Sequence, residues 1–267
     1  MTADDWAARL ASGLPVAERV AVVVAHPDDE TLWTGALLPR LADGLLIHLT
    51  DGAPTDMADA HRLGFATREA YAAARAAELD AALIALGYTG ERRAYDVCDK
   101  DAVHALPAIE ARLAADLAGA ALVVTHPYEG GHPDHDAAAL AVARVTGLLG
   151  IPVVEFACYH QVDGTREFAR FWPGAREHSR ALDAPDRARI EAALHAHASQ
   201  ASVFGTWRPT HERWRAAAAY DFTAPPPAEA TLYDGFGWTL TSDRWREIAS
   251  IPLPRSRERD GRREAAG

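Results

Sequence analysis

The chain has 267 residues, with 27 basic against 38 acidic side chains, and its formal net charge of −11 speaks against a phosphate-tracking nucleic-acid binder. Hydrophobic residues at 49% and charged residues at 24% are ordinary for a globular chain long enough to bury a substantial core. Two cysteines, Cys98 and Cys158, are too few for a disulfide framework or a cysteine-rich zinc site, and neither a signal peptide nor a membrane-length apolar run is visible. A cytoplasmic location is therefore expected. Lys100 is the only lysine, whereas histidine occurs 12 times, and His126, His132 and His135 fall close together among acidic residues.

In chain order, Arg19 to Ala25 is a continuous β-branched run, the pattern of a strand buried on both faces of a parallel sheet. It ends in HPDDE and leads into an expected helix from about Thr31 to Ala42. Leu45 to Leu49 predicts a second strand. Thr67 is a suitable N-cap for a long helix closed by Gly87, with Tyr71, Arg75, Leu79, Leu83 and Leu86 on one stripe. Arg93 to Val97 predicts a third strand, Ala108 to Leu117 a helix and Ala121 to Thr125 another buried strand. A helix from Asp136 to Leu149 stops at Gly150 and precedes a strand over Val153 to Cys158. Beyond Tyr159 the periodicity weakens, although Asp183 and Pro185 signal one more helix start. The charged stretch after Pro254 reads as a disordered tail.

This alternation predicts an α/β fold of Rossmann-like type, a mainly parallel β-sheet flanked by helices with a C-terminal elaboration. One domain over residues 1–254 accounts for the pattern, with the segment from about 160 to 254 on the substrate side. Ligands in such sheets bind outside the carboxyl ends of the strands, where both HPDDE and the His126–His135 segment lie.

Imidazole and carboxylate are the usual donors of a hydrolytic zinc or iron(II) centre. His26 and Asp29 are three residues apart, so a tight turn can aim both at one point and leave Asp28 free to hold a proton. The alternative is that Asp28 and Asp29 merely cap the following helix. GHPDHD at Gly131 to Asp136 repeats the three-residue spacing in His132 and His135. Two such elements after two buried strands favour a shared metal site over capping.

AHPDDE at Ala25 to Glu30 together with HPDH at His132 to His135 resembles the PIG-L/LmbE-like de-N-acetylases. Arg75-x-x-Glu78-Leu79 and His197-x-Ser199-Gln200 resemble further elements of that family, and the likeness spans about residues 19–200. The resemblance implies that His26, Asp29 and His135 hold Zn2+ or Fe2+, that Asp28 is the general base, and that a protonated His132 faces the developing oxyanion. Asp134 would hydrogen-bond an imidazole and fix its tautomer. It implies hydrolysis of the N-acetyl group of an N-acetylglucosaminyl small molecule or glycoconjugate. The alternatives are an amidase acting on another small-molecule amide with the same centre or a non-catalytic metal-binding module. Charge and hydropathy predict no nucleic-acid or membrane partner, and homo-oligomerisation is left open.

Arg75 has two readings, an ion pair with Glu78 or contact with sugar hydroxyls. His197 is expected as a satisfied core histidine. His126, Tyr128 and Glu129 are expected to border the pocket, and Tyr128 stands as a substitute for the mobile tyrosine that some relatives carry where this chain has Gly130. The C-terminal tryptophans Trp172, Trp207, Trp214, Trp238 and Trp245 are read as core by default, with stacking on a sugar or apolar aglycone as the alternative.

Overall fold

The computed structural model describes residues 1–174, 176–227 and 231–251; the expected tail after Pro254 lies outside these residues. The elements run α1 (Ala3–Ala11), β1 (Val16–Val24), α2 (Asp29–Thr34), β2 (Leu41–Pro54), α3 (Ala58–Arg62), α4 (Arg68–Leu86), β3 (Glu91–Asp99), α5 (Leu106–Asp116) and β4 (Leu122–Thr125). They continue α6 (Pro133–Leu149), β5 (Val153–Phe156), β6 (Tyr159–Val162), β7 (Thr165–Phe168), β8 (Glu177–Ala181), α7 (Ala184–Ala196), α8 (Ala201–Phe204), β9 (His211–Ala216) and α9 (Ser242–Ala249).

Seven strands form one sheet in the order β3-β2-β1-β4-β5-β9-β8. The first five pair in parallel, while β9 is antiparallel to both β5 and β8. The apolar run of β1 divides between two cores. Val20, Val22 and Val24 pack on one face of the sheet, and Ala21 and Val23 on the other, which is why no polar alternation shows in its sequence. The order reverses between β1 and β4, so the loops leaving these neighbouring strands diverge and open a crevice at their carboxyl ends.

The long helix α4 starts and stops where expected: Thr67 accepts from the Ala70 N–H, and Gly87 ends it at φ +78°. Asp183 likewise caps α7 through the Asp186 N–H. The helix expected from Thr31 to Ala42 is cut short. The Glu212 carboxylate, from distant β9, accepts from the N–H groups of Ala36 and Leu37 at 2.6 and 3.3 Å. A single 3-10 turn, Leu38–Arg40, carries the chain into β2. The weakly periodic region past Tyr159 supplies the β6–β7 hairpin and the two strands that close the sheet edge. No helix among the described residues is long and apolar enough to cross a membrane.

Candidate metal centre and cleft

HPDDE leaves the end of β1 as a tight turn and becomes the first turn of α2. Asp28 occupies the N-cap position but makes no capping bond, and its backbone sits at φ +153°. Its carboxylate instead accepts from Arg75 Nη2 at 3.1 Å. That geometry decides against simple capping. Burial pushes the Asp28 carboxyl up to about 6, although the Arg75 guanidinium pulls the other way.

Asp29 turns the opposite way, into the crevice. Its two oxygens meet His26 Nδ1 at 3.3 Å and His135 Nε2 at 3.2 Å. The His26 backbone N–H and the Trp33 indole N–H also donate to Asp29, at 2.8 and 3.3 Å, and fix its rotation. His26 Nε2 faces Asp99 and Asp134 at 3.1 and 3.2 Å, which assigns the ring proton to Nε2 and leaves the Nδ1 lone pair toward Asp29. Asp134 thus fixes an imidazole tautomer, that of His26. It is itself held by the backbone N–H groups of Lys100 and Ala102.

His132 caps α6, but through its ring. The Asp134 N–H donates to His132 Nδ1 at 3.2 Å, so the proton of the neutral ring lies on Nε2. Ring nitrogens of His26, His132 and His135 all lie within 4.8 Å of one another, and a second such group joins His26, Asp99, His132 and Asp134. The Asp134 bond makes His132 a hydrogen-bond donor to the cleft through Nε2, whereas His26 keeps its Nδ1 lone pair toward Asp29. Burial pushes the His132 pKa well below its ordinary value. A neutral Nε2–H performs the same donation.

The donor set fits a divalent cation. Asp28, Asp29, Glu30 and Asp134 are buried, Asp99 is half-buried beside them, and Arg75 is the arginine in contact with this group. Unpaired buried carboxylates are costly, and two imidazoles with a carboxylate between them match a hydrolytic zinc or iron(II) site.

Several expected neighbours lie behind the cleft instead. Arg75, 4% exposed, makes no pair with Glu78; it donates to Gly52 O at 2.7 Å, Pro27 O at 2.8 Å and Asp28, and so holds the turn rather than facing sugar hydroxyls. Glu78 accepts from the Ser199 N–H and hydroxyl. Tyr128 is buried, donates to Ala224 O and stacks on Trp245, so it is no substitute for a mobile tyrosine. Nor can Gly130 be replaced by one: it sits at φ +73°, and a Cβ there would meet Thr231 at 2.8 Å. His126 is fully buried, accepts from the Ala25 N–H at 3.1 Å and stacks on His135 with ring centroids 4.0 Å apart. Glu129 is buried against His160. His197 is a core histidine as expected, with Nε2 against Thr31 and Glu30.

Asp99, Tyr159 and Trp33 belong to the site without having been singled out in the sequence. Asp99 ends β3, and the same carboxyl-end rule that located HPDDE points to it. Tyr159 and Trp33 carried no such signal. Of the C-terminal tryptophans, Trp214 and Trp245 are core, Trp172 and Trp207 are half-buried, and Trp238 lies 5.2 Å from the His132 ring.

Comparison with known proteins bears on this geometry. No curated protein matches the chain. Among solved structures, the A40926 pseudoaglycone deacetylase Dbv21 is 21% identical with a TM-score of 0.59, over 77% of this chain and 100% of that one. The zinc-inhibited form of the teicoplanin deacetylase Orf2 is 16% identical with a TM-score of 0.60, over 76% and 99%. The conserved protein TT1542 from Thermus thermophilus is 19% identical with a TM-score of 0.53, over 76% and 97%. These likenesses establish a shared fold. Residues 21–146, which carry HPDDE, Arg75 and HPDH, match the model of the PIG-L family, described as GlcNAc-PI de-N-acetylase.

Proposed function

We propose that the chain is a metal-dependent N-deacetylase that hydrolyses the acetamide of an N-acetylglucosaminyl small molecule or glycoconjugate to a free amine and acetate. The observation that carries this reading is Asp29, whose two oxygens face Nδ1 of His26 and Nε2 of His135 while Asp28 is turned away toward Arg75. His26, Asp29 and His135 would hold the cation, zinc or iron(II). A divalent cation supplies Lewis acidity toward the amide carbonyl and toward water.

The chain's own groups carry the remaining steps. The Asp28 carboxylate, poised near neutral pH, accepts a proton from the attacking water and delivers it to the departing amine nitrogen. Arg75 fixes which oxygen of Asp28 faces the cleft. The His132 Nε2–H donates to the carbonyl oxygen as negative charge grows there, a contribution worth roughly 3 kcal/mol in comparable sites. Asp134 and Asp99 keep the His26 ring in the tautomer that leaves Nδ1 free.

Acetate release from a panel of N-acetyl sugars, with and without chelator and after restoring zinc or iron(II), tests the proposal. Chelator-sensitive release is expected. Absence of such release from every acetamide would overturn it.

A further inference from the structure

His132 and His135 also close a circuit of side chains that leads outward from the cleft. The His135 ring centroid lies 5.3 Å from that of Tyr159. The Arg166 guanidinium carbon sits 5.8 Å from the Tyr159 centroid and 5.7 Å from each of Phe168 and Phe236. Phe236 lies 5.0 Å from Trp238, Trp238 5.2 Å from His132, and His132 5.4 Å from His135. Exposure grades along the circuit. The two histidines are buried, Tyr159 and Trp238 half-buried, Phe236 is 42% exposed, and Arg166 is exposed.

Charge is graded in the same direction. The inner end is crowded with Asp28, Asp29, Asp99 and Asp134, which repel an anion. At the outer end, Arg166 has no carboxylate partner among the described residues, although the chain carries 38 acidic side chains; the adjacent Glu167 faces Arg170 instead. Lys100, the other cation near this mouth, is committed to Asp56 at 2.7 Å and lies over Trp238. A guanidinium held among aromatic rings offers N–H donors to a carboxylate while the rings accept a flat apolar group.

We propose that this circuit is the aglycone subsite of the cleft and that it takes an aryl aglycone carrying a negative charge. The proposal rests on the N-deacetylase reading. With the acetamide at His132 and Asp29, the group attached to the sugar extends along Tyr159, Trp238 and Phe236, and its anionic substituent reaches Arg166. All four of these residues lie beyond the segment 21–146 that matches the family.

The zinc-loaded full chain is assayed with methyl, phenyl, 4-carboxyphenyl and 4-(trimethylammonio)phenyl N-acetyl-glucosaminides. Stacking should raise kcat/KM for phenyl over methyl by about 10-fold, and the carboxylate should add a further gain of about 5-fold. The trimethylammonio compound should fall below phenyl. Arg166→Gln should bring the carboxyphenyl-to-phenyl ratio to about one, and Phe236→Ala should shrink the phenyl-to-methyl ratio. A methyl glycoside as good as the aryl ones, or a ratio untouched by Arg166→Gln, overturns the subsite. If none of the four releases acetate, the deacetylase reading fails instead. Calorimetric affinities of the same ligands then decide the subsite, their order replacing that of the rates.

Discussion

The backbone N–H of Asp28 donates to the carboxylate of Glu30 two residues on, at 3.0 Å, across a turn in which Asp28 is held at φ +153°. A non-glycine residue in that region costs about 1–3 kcal/mol and persists only when its surroundings determine it. Glu30 supplies that determination. It is fully buried; one oxygen also meets His48 Nε2 at 3.0 Å, and the other accepts from the Thr31 hydroxyl at 2.7 Å and lies 3.5 Å from His197 Nε2. Burial would raise its pKa, but the hydrogen bonds to His197 and His48 hold it well below the usual carboxylate range. Glu30→Gln removes the charge and replaces one acceptor oxygen by an NH2 group, so one of its buried donors loses a charged acceptor. It should cost about 2–3 kcal/mol in urea denaturation, because a buried partner is left unsatisfied. Under the proposed mechanism kcat should fall at least about 10-fold with KM within about twofold, since Asp28 is displaced rather than the substrate. An unchanged kcat would remove Glu30 as a positioning residue.

His132 and His135 should separate cleanly. His135→Ala removes the nitrogen opposite Asp29 and should yield protein that loses zinc on dialysis. His132→Ala should keep its zinc and lose roughly 100-fold in kcat, the usual cost of deleting one oxyanion donor. Metal analysis of the two dialysed variants checks the assignment; zinc-free His132→Ala would make that residue a ligand.

What was legible in the sequence follows from how locally each feature is determined. The approach of His26, Asp29 and His135 to one another could be read because His26 follows β1 directly, Asp29 and His135 lie in the first turns of α2 and α6, and β1 pairs with β4. The shortening of α2 could not, since it depends on Glu212 reaching the Ala36 and Leu37 N–H groups from 175 residues away or more. Arg75 was placed on the right stripe of α4, but periodicity does not say what a buried guanidinium donates to. Tyr159, Phe236 and Trp238 meet the histidines only through a hairpin and a turn whose sequences carry no clear period.

Gly131 marks where the second histidine loop presses on the hairpin. A Cβ there would stand 2.3 Å from the Tyr159 carbonyl oxygen and 3.1 Å from its ring. Gly131→Ala must push β6 away from α6, and overpacking of this kind costs about 1–3 kcal/mol. The thermal midpoint should drop by several degrees, roughly 2–4 °C per kcal/mol at this chain length. Because Tyr159 moves off His135, aryl glycosides should lose more kcat/KM than methyl glycosides. An unchanged midpoint in differential scanning calorimetry would contradict the close approach.

Glu212 gives a pH dependence that lies apart from the metal centre. It is 3% exposed, accepts from Ala36 and Leu37 through one oxygen, and leaves the other without a partner. Burial pushes its pKa up to about 7 against an ordinary value of 4.5, although the two backbone N–H bonds oppose the shift. Between these values the folded chain holds a proton that the unfolded chain has released. Stability from this group is therefore fully present below about pH 4.5 and is lost as pH rises through about 7, with an upper bound near 3 kcal/mol. Glu212→Gln keeps the accepting oxygen and cannot ionise. The difference in unfolding free energy, variant minus parent, should rise by about 1–3 kcal/mol from pH 4.5 to pH 8 in urea titrations, with the other titrating groups cancelling between the two proteins. A difference that stays flat across this range would mean that Glu212 is charged in the folded chain already at low pH, with Arg180 or Arg40 compensating its burial.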